Sequence, residues 1–268
     1  MHIFDYDFMK LALLATLIIT PLFGILGTMV VNRKMAFFSD ALGHSALTGM
    51  AIGVLFGVAD TNISLVIFAV IFALAMNFIL SRRTASSDTI ISVFSSLAVA
   101  VGLAILSRGG NFSKYSSLLV GDILSISRRE IVYLAILLVA LIVFWILCFN
   151  RLNAVSISTT LARTRGFKVR VMENLFAVFT ALVVMLSIKW VGILIINALL
   201  VLPAAASRNL STNMREYHLF SVIFSMFSGI VGLIFSYYTD MATGPMIIII
   251  AAVIYFSTLI YGSAGKKK

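Results

Sequence analysis

Charge is what this chain has least of: only 11% of its 268 residues are Asp, Glu, Lys or Arg, while 61% are hydrophobic. With a mean hydropathy of +1.11, such a composition cannot cover a water-facing surface, which excludes a soluble fold of this size. Cysteine is nearly absent. Cys148, inside an apolar run, is the single one, so an intrachain disulfide and a thiolate metal cluster within one chain are excluded, and the residue reads as a small core hydrophobe. Acids are scarcer than bases, giving a formal charge of +10. The basic residues are scattered between apolar runs rather than gathered on one face, which fits positively charged cytoplasmic loops and argues against nucleic-acid binding. MHIFDYDFMK lacks the basic start of a secretory signal, and no small-residue cleavage site precedes a soluble domain, so the first apolar run is expected to remain a span. Catalytic motifs are missing as well. GSAGKKK near the end lacks the loop and the Ser or Thr of a phosphate-binding P-loop and reads as a basic tail. No G-x-S-x-G surrounds Ser45, so intramembrane hydrolysis is a poor third reading.

What is present is a series of hydrophobic runs of membrane-spanning length, about 20 residues each for a core of roughly 30 Å. They cover about 8–31, 35–57, 63–80, 89–107, 131–149, 175–188, 189–209, 220–238 and 245–261. The fold class expected is an all-α, polytopic helical membrane protein with about eight or nine spans, organised as one transmembrane domain over residues 1–268. The stretch RLNAVSISTTLARTRGFKVRVMEN carries Arg151, Arg163, Arg165, Lys168 and Arg170 before its first acid, Glu173, and is placed in the cytoplasm by the positive-inside rule. Alternation then puts Arg33, Arg82, Arg208, Arg215 and Lys266 to Lys268 inside, and the N-terminus outside.

The chain is organised around Met35 to Gly57, MAFFSDALGHSALTGMAIGVLFG. Asp40 and His44 stand four residues apart, on one side of a helix and one turn from each other, a spacing from which two side chains can hold one metal ion. Ionisable residues inside a span are costly, at roughly 2.5 kcal/mol or more each, and mark function by default. The bland alternatives are that Ser39 or Asp40 caps the helix and that His44 is a buried histidine satisfied by a backbone carbonyl. Ala41, Ser45, Gly49, Gly53 and Gly57 recur at every fourth position, a stripe that lets another helix approach closely within lipid.

Three further segments carry polar residues in apolar frames. Between Arg108 and Glu130, the apolar portion Leu118 to Ile126 is too short to cross and reads as a re-entrant or surface helix; Asp122 at its centre either caps a helix end, is solvated at a mouth, or lines the pathway. Ser158, Thr159 and Thr160 followed by LARTRG read as a capped short helix ending at Gly166. KWVGILIINALLVLPAAASRN contains Asn197 and Pro203; proline clashes with the carbonyl of Leu199, so a kink or break is expected near that end. Ser45, Asp122 and Asn197 are the candidate pathway residues besides Asp40 and His44.

With these segments in order, the chain resembles the permease subunits of bacterial zinc and manganese ABC importers, the zinc-uptake branch above all. VVNRKMAFFSDALGHSALTGMAIG is similar to that family's basic pair, small apolar group and S/G-D-x-x-x-H-S; LLVGDIL, LARTRGFKVR, VGILIINALLVLPAAASR and TGP follow in the family's order. The resemblance implies a type II ABC importer-like permease in the bacterial cytoplasmic (inner) membrane. It implies a permease homodimer embedded in lipid, two cytoplasmic ABC ATPase subunits that carry the ATP, and an extracytoplasmic solute-binding protein. It implies no enzymatic activity in this chain and no permanently bound cofactor. Asp40 and His44 match the family's metal positions, for transported Zn2+ with Mn2+ or Fe2+ as alternatives. Ser158, Leu161, Ala162 and Gly166 fall in the segment matching the short helix that couples to the ATPase, where Thr159 and Thr160 stand in place of a frequent acid. The rival reading is a secondary, proton-coupled metal transporter, which needs no such docking helix.

Overall fold

The computed structural model describes residues 6–58, 60–82, 86–108 and 120–265, and every regular element among them is helical. In chain order these are α1 (Asp7–Asn32), α2 (Ala36–Leu55), α3 (Thr61–Leu80), α4 (Ser87–Arg108), a 3-10 turn (Ile123–Ser125), α5 (Arg128–Ile157), α6 (Thr159–Thr164), α7 (Val169–Val191), α8 (Ile193–Leu210), α9 (Met214–Thr239) and α10 (Thr243–Gly265). Seven of them are long and apolar enough to cross a bilayer. Two more complete the nine segments read from the sequence: α2, whose polar and glycine residues dilute its hydropathy, and α8, which has 18 residues. Ile136, Ile146 and Leu147 of α5 are 60%, 74% and 70% exposed. On a helix of spanning length, outward apolar side chains of this kind fit a lipid environment. The protein is a multi-pass membrane protein.

The chain divides into two units, the first comprising Met1–Ala36, Leu118–Leu138 and Lys189–Lys268 and the second Phe37–Ser117 and Val139–Ile188. In the first, α1 packs on α8 and α9, and α10 packs on the same two helices. Little separates the apolarity of these faces from that of lipid, so close approach and interhelical hydrogen bonds hold them together. A methyl group at Gly27 would lie 2.0 Å from the carbonyl oxygen of Leu200, so only glycine fits between α1 and α8. Ser221 and Ser225 of α9 donate to the carbonyls of Gly24 and Thr20, each at 2.7 Å. Both hydroxyls are fully buried.

In the second unit α2 lies against α3 and α4. The expected stripe does this: Ser64 of α3 donates to the Gly49 carbonyl, a methyl at Gly49 would meet the Phe68 ring at 2.9 Å, and one at Gly53 would meet Ser64. On the other flank Thr48 donates to the Ala98 carbonyl of α4, where Gly102 makes room for the Thr48 backbone. Asn77 of α3 donates to Asn174 of α7, and the rings of Phe144 and Phe179 stack at 4.5 Å between α5 and α7.

Three boundaries differ from the sequence reading. α5 does not stop at Phe149 but runs to Ile157. Leu152 and Val155 are buried while Arg151 is exposed, so the apolar face continues three residues at a time and carries the helix past the first arginine. The interruption expected at Pro203 falls instead at Gly192: α8 runs unbroken through Pro203, and Gly192, at φ +91°, separates it from α7. A side chain at Gly192 would sit 2.3 Å from the Val120 carbonyl, so the backbone of 120–122 is pressed into the gap. That contact also alters the expected helix over Leu118 to Ile126. Leu118 and Leu119 lie outside the described residues, and the remainder forms one 3-10 turn entered through Gly121 at φ +73°. Cys148 is half-buried, not a core residue. Lys266 to Lys268, assigned to the inside above, also lie outside the described residues.

Candidate metal centre

The turn between α1 and α2 is made by Arg33 and Lys34, the latter at φ +56°, with Met35 donating back to the Val30 carbonyl at 2.8 Å. α2 then starts at Ala36. Orphan N–H groups belong to the first turn of a helix, so Asp40, already beyond it, is not placed to cap. Ser39 is fully buried and Asp40 is 43% exposed at its side chain. One turn on, His44 is 35% exposed, and its Nε2 lies 3.7 Å from the Asp40 Oδ1.

That separation is informative. Two donors each about 2.1 Å from a tetrahedral zinc lie roughly 3.4 Å apart. A small rotamer adjustment therefore brings one carboxylate oxygen and one imidazole nitrogen to a single ion without moving the backbone. The pair also offers the hard oxygen and borderline nitrogen that zinc, manganese and iron all accept. Among the described residues, no group of three or more His, Cys, Asp or Glu side chains gathers at any point. As a candidate site, Asp40 and His44 offer two donors, fewer than the four ligands zinc takes.

The other candidates are placed differently. Ser45 is buried and donates to the Leu42 carbonyl of its own helix at 3.0 Å. Asp122 and Asn197 belong to the first unit, whereas Asp40 and His44 belong to the second. Asp122 caps the 3-10 turn, its Oδ1 accepting from Leu124 N at 3.1 Å, and Asn197 is half-buried on α8. In the segment expected to couple to an ATPase, Ser158 caps α6, accepting from Leu161 N at 3.3 Å. The helix closes where Phe167 N donates to the Ala162 carbonyl at 3.0 Å and Gly166 takes φ +77°. Ala162 is fully buried and Leu161 is 46% exposed, so the short helix is anchored by one side and presents an apolar residue on another.

One brace was not picked out from the sequence. Glu130 accepts from Ser127 N at 2.8 Å and Ser127 Oγ at 2.9 Å, and pairs with Lys189. The S-R-R-E spelling at 127–130 is the capping-box signature that announces the first half of it; the lysine, from a distant stretch, has no local signal. Next to it, Asp122 N donates to the Lys189 carbonyl at 3.4 Å. Lys189 thereby ties the segment bearing Asp122 to the end of α7.

Residues 5–262 match the family model described as the ABC 3 transport family. The chain belongs to that family. Among curated members, it is 34% identical to the high-affinity zinc uptake system membrane protein ZnuB of Haemophilus influenzae, over 92% of this chain and 95% of that one. It is 25% identical to the manganese transport system membrane protein MntC of Listeria innocua, over 96% and 91%. The fold of this ABC 3 family member is that of a solved structure, PsaBC from Streptococcus pneumoniae in complex with Fab: TM-score 0.85, 24% identity, covering 95% of this chain and 91% of that chain.

Proposed function

We propose that the chain is the membrane permease of an ATP-driven importer for a divalent transition metal, zinc in the first place, with manganese or iron as alternatives. The observation that carries this is the Asp40–His44 pair, 3.7 Å apart on one face of a membrane helix. Because the pair supplies half of a tetrahedral shell, a second copy of the chain supplies the other half, which makes the functional unit a homodimer. A shell of two carboxylates and two imidazoles, without thiolate, holds the ion loosely enough to release it. The likeness to a zinc uptake protein and to a manganese transport protein supports the substrate class. The whole chain acts as one permease domain in the bacterial inner membrane. Hydrolysis takes place on two partner ATPase subunits docked at α6, and an extracytoplasmic binding protein delivers the ion. Ser45, next to His44 on α2, is the pathway candidate within the same unit.

Metal-dependent stimulation of ATP hydrolysis tests the reading, in proteoliposomes holding the permease, its ATPase and its binding protein with each ion in turn. Zinc is expected to stimulate most. Transport that proceeds without any ATPase subunit would instead favour a proton-coupled carrier.

A further inference from the structure

The second unit holds a cleft whose walls on α3 and α7 the transport reading does not use. Two adjoining cavities of about 550 and 220 Å³ share Asn77, Ser81, Arg170 and Glu173 as walls, at the meeting of the end of α3 with the start of α7. The larger is in the range of small-ligand sites. Arg82 lines one cavity, Arg163 of α6 lines the other, and Arg170 lines both. Glu173 is the one carboxylate among the lining residues, so the cleft carries an excess of positive charge. The Asn77–Asn174 hydrogen bond ties its two walls together.

The cleft has an apolar side as well. Leu74 and Phe78 line the larger cavity, and they continue a row on one face of α3 that includes Ile67 and Ile71; these four side chains are 39–62% exposed. The row ends at Arg82, whose guanidinium lies 4.8 Å from the centre of the Phe78 ring. An outward apolar row leading to a cluster of guanidiniums matches an amphiphile: acyl chains along the row, an anionic head at the top. A free ion would have no use for the apolar wall, and guanidinium forks suit phosphate in both geometry and charge.

We propose that this cleft seats the phosphate headgroup of an anionic phospholipid, held by Arg82, Arg163 and Arg170, with its chains on the exposed face of α3. The positive-inside assignment puts Arg82 and Arg163 on the cytoplasmic side, where anionic lipid is concentrated and basic clefts between helices take such heads. Because α6 lends Arg163 to the cleft, the bound lipid stiffens the seat of the short helix. The inference is independent of which metal is carried.

The test is thermal unfolding of the purified full-length permease in vesicles of phosphatidylcholine alone and in vesicles of equal parts phosphatidylcholine and phosphatidylglycerol. The wild-type midpoint is expected to rise by roughly 3 °C in the anionic vesicles, the shift for a ligand about tenfold above its dissociation constant. Arg82→Gln with Arg170→Gln should abolish the rise, the paired lysine variant should keep most of it, and Arg151→Gln, outside the cleft, should keep all of it. If the double variant does not fold, Arg82→Gln alone, at an exposed position just past the end of α3, should lose most of the rise. An equal rise in the glutamine variants would overturn the proposal. So would inorganic phosphate reproducing the rise in neutral vesicles, which would make the ligand a free ion. Loss of ATPase binding in the variants with an unchanged lipid shift would assign the arginines to a partner protein and equally overturn it.

Discussion

Asp40 and His44 are a modest pair to carry a transport function: two side chains, each more than a third exposed, with 3.7 Å between their nearest polar atoms. What makes them informative is the contrast between the effects of removing a ligand and removing a helix contact. Asp40→Asn keeps the shape and loses the charge; at a position past the first turn of α2 it should change stability by no more than about 0.5 kcal/mol, the usual range for a substitution away from core and caps. A divalent ion would lose its main electrostatic attraction. His44→Gln keeps a polar group and loses the imidazole nitrogen. Zinc binding to the purified permease, followed by calorimetry, should weaken about 100-fold or more in either variant, since even outer-shell partners of a metal cost 10–100-fold. A weakening under threefold in both would move the site elsewhere. The pairing itself was legible from the i, i+4 spacing. The 3.7 Å between the two donors was not, because spacing along a helix does not fix the rotamers.

At the scale of the element, the spans were legible because length and hydropathy decide them, and the interruptions were not, because packing decides them. Pro203 looked like the break by its missing donor, yet the chain opens at Gly192, where the 120–122 backbone crowds in and only glycine accepts φ +91°. The small-residue stripe of α2 was legible in the same way as the metal pair, from period alone, and its partners α3 and α4 were not. Two helices give direct predictions. Gly27→Ala puts a methyl 2.0 Å from the Leu200 carbonyl oxygen and should destabilise the permease by about 1–3 kcal/mol, the usual cost of overpacking, read as a lower unfolding midpoint in detergent. Ala162→Pro removes the N–H that donates to the Ser158 carbonyl at 3.0 Å and inserts a ring at a buried position, breaking α6. If α6 is the seat of the ATPase, this variant should reach the membrane with its unfolding midpoint lowered by several degrees, while ATP-driven uptake falls to background. Retained uptake would reduce α6 to a charged loop.

For the whole molecule, the nine apolar segments read from the sequence and the basic stretch after α5 predict a threading with the N-terminus outside. In a Cys148→Ala background, a cysteine at Arg165 should react with a membrane-impermeant maleimide only from the cytoplasmic side, and one at Val58, 40% exposed between α2 and α3, only from outside. Labelling of position 165 from outside would invert the threading and move the ATPase seat to the wrong face. The central claim is that a metal passes through a site built from Asp40 and His44. It is tested most directly by uptake of radioactive zinc into vesicles holding the permease with its ATPase and binding protein. Wild-type vesicles should accumulate zinc on addition of ATP, and vesicles with Asp40→Asn permease, present in equal amount and with the ATPase still bound, should not rise above the level without ATP. Uptake by Asp40→Asn at the wild-type rate would contradict the account.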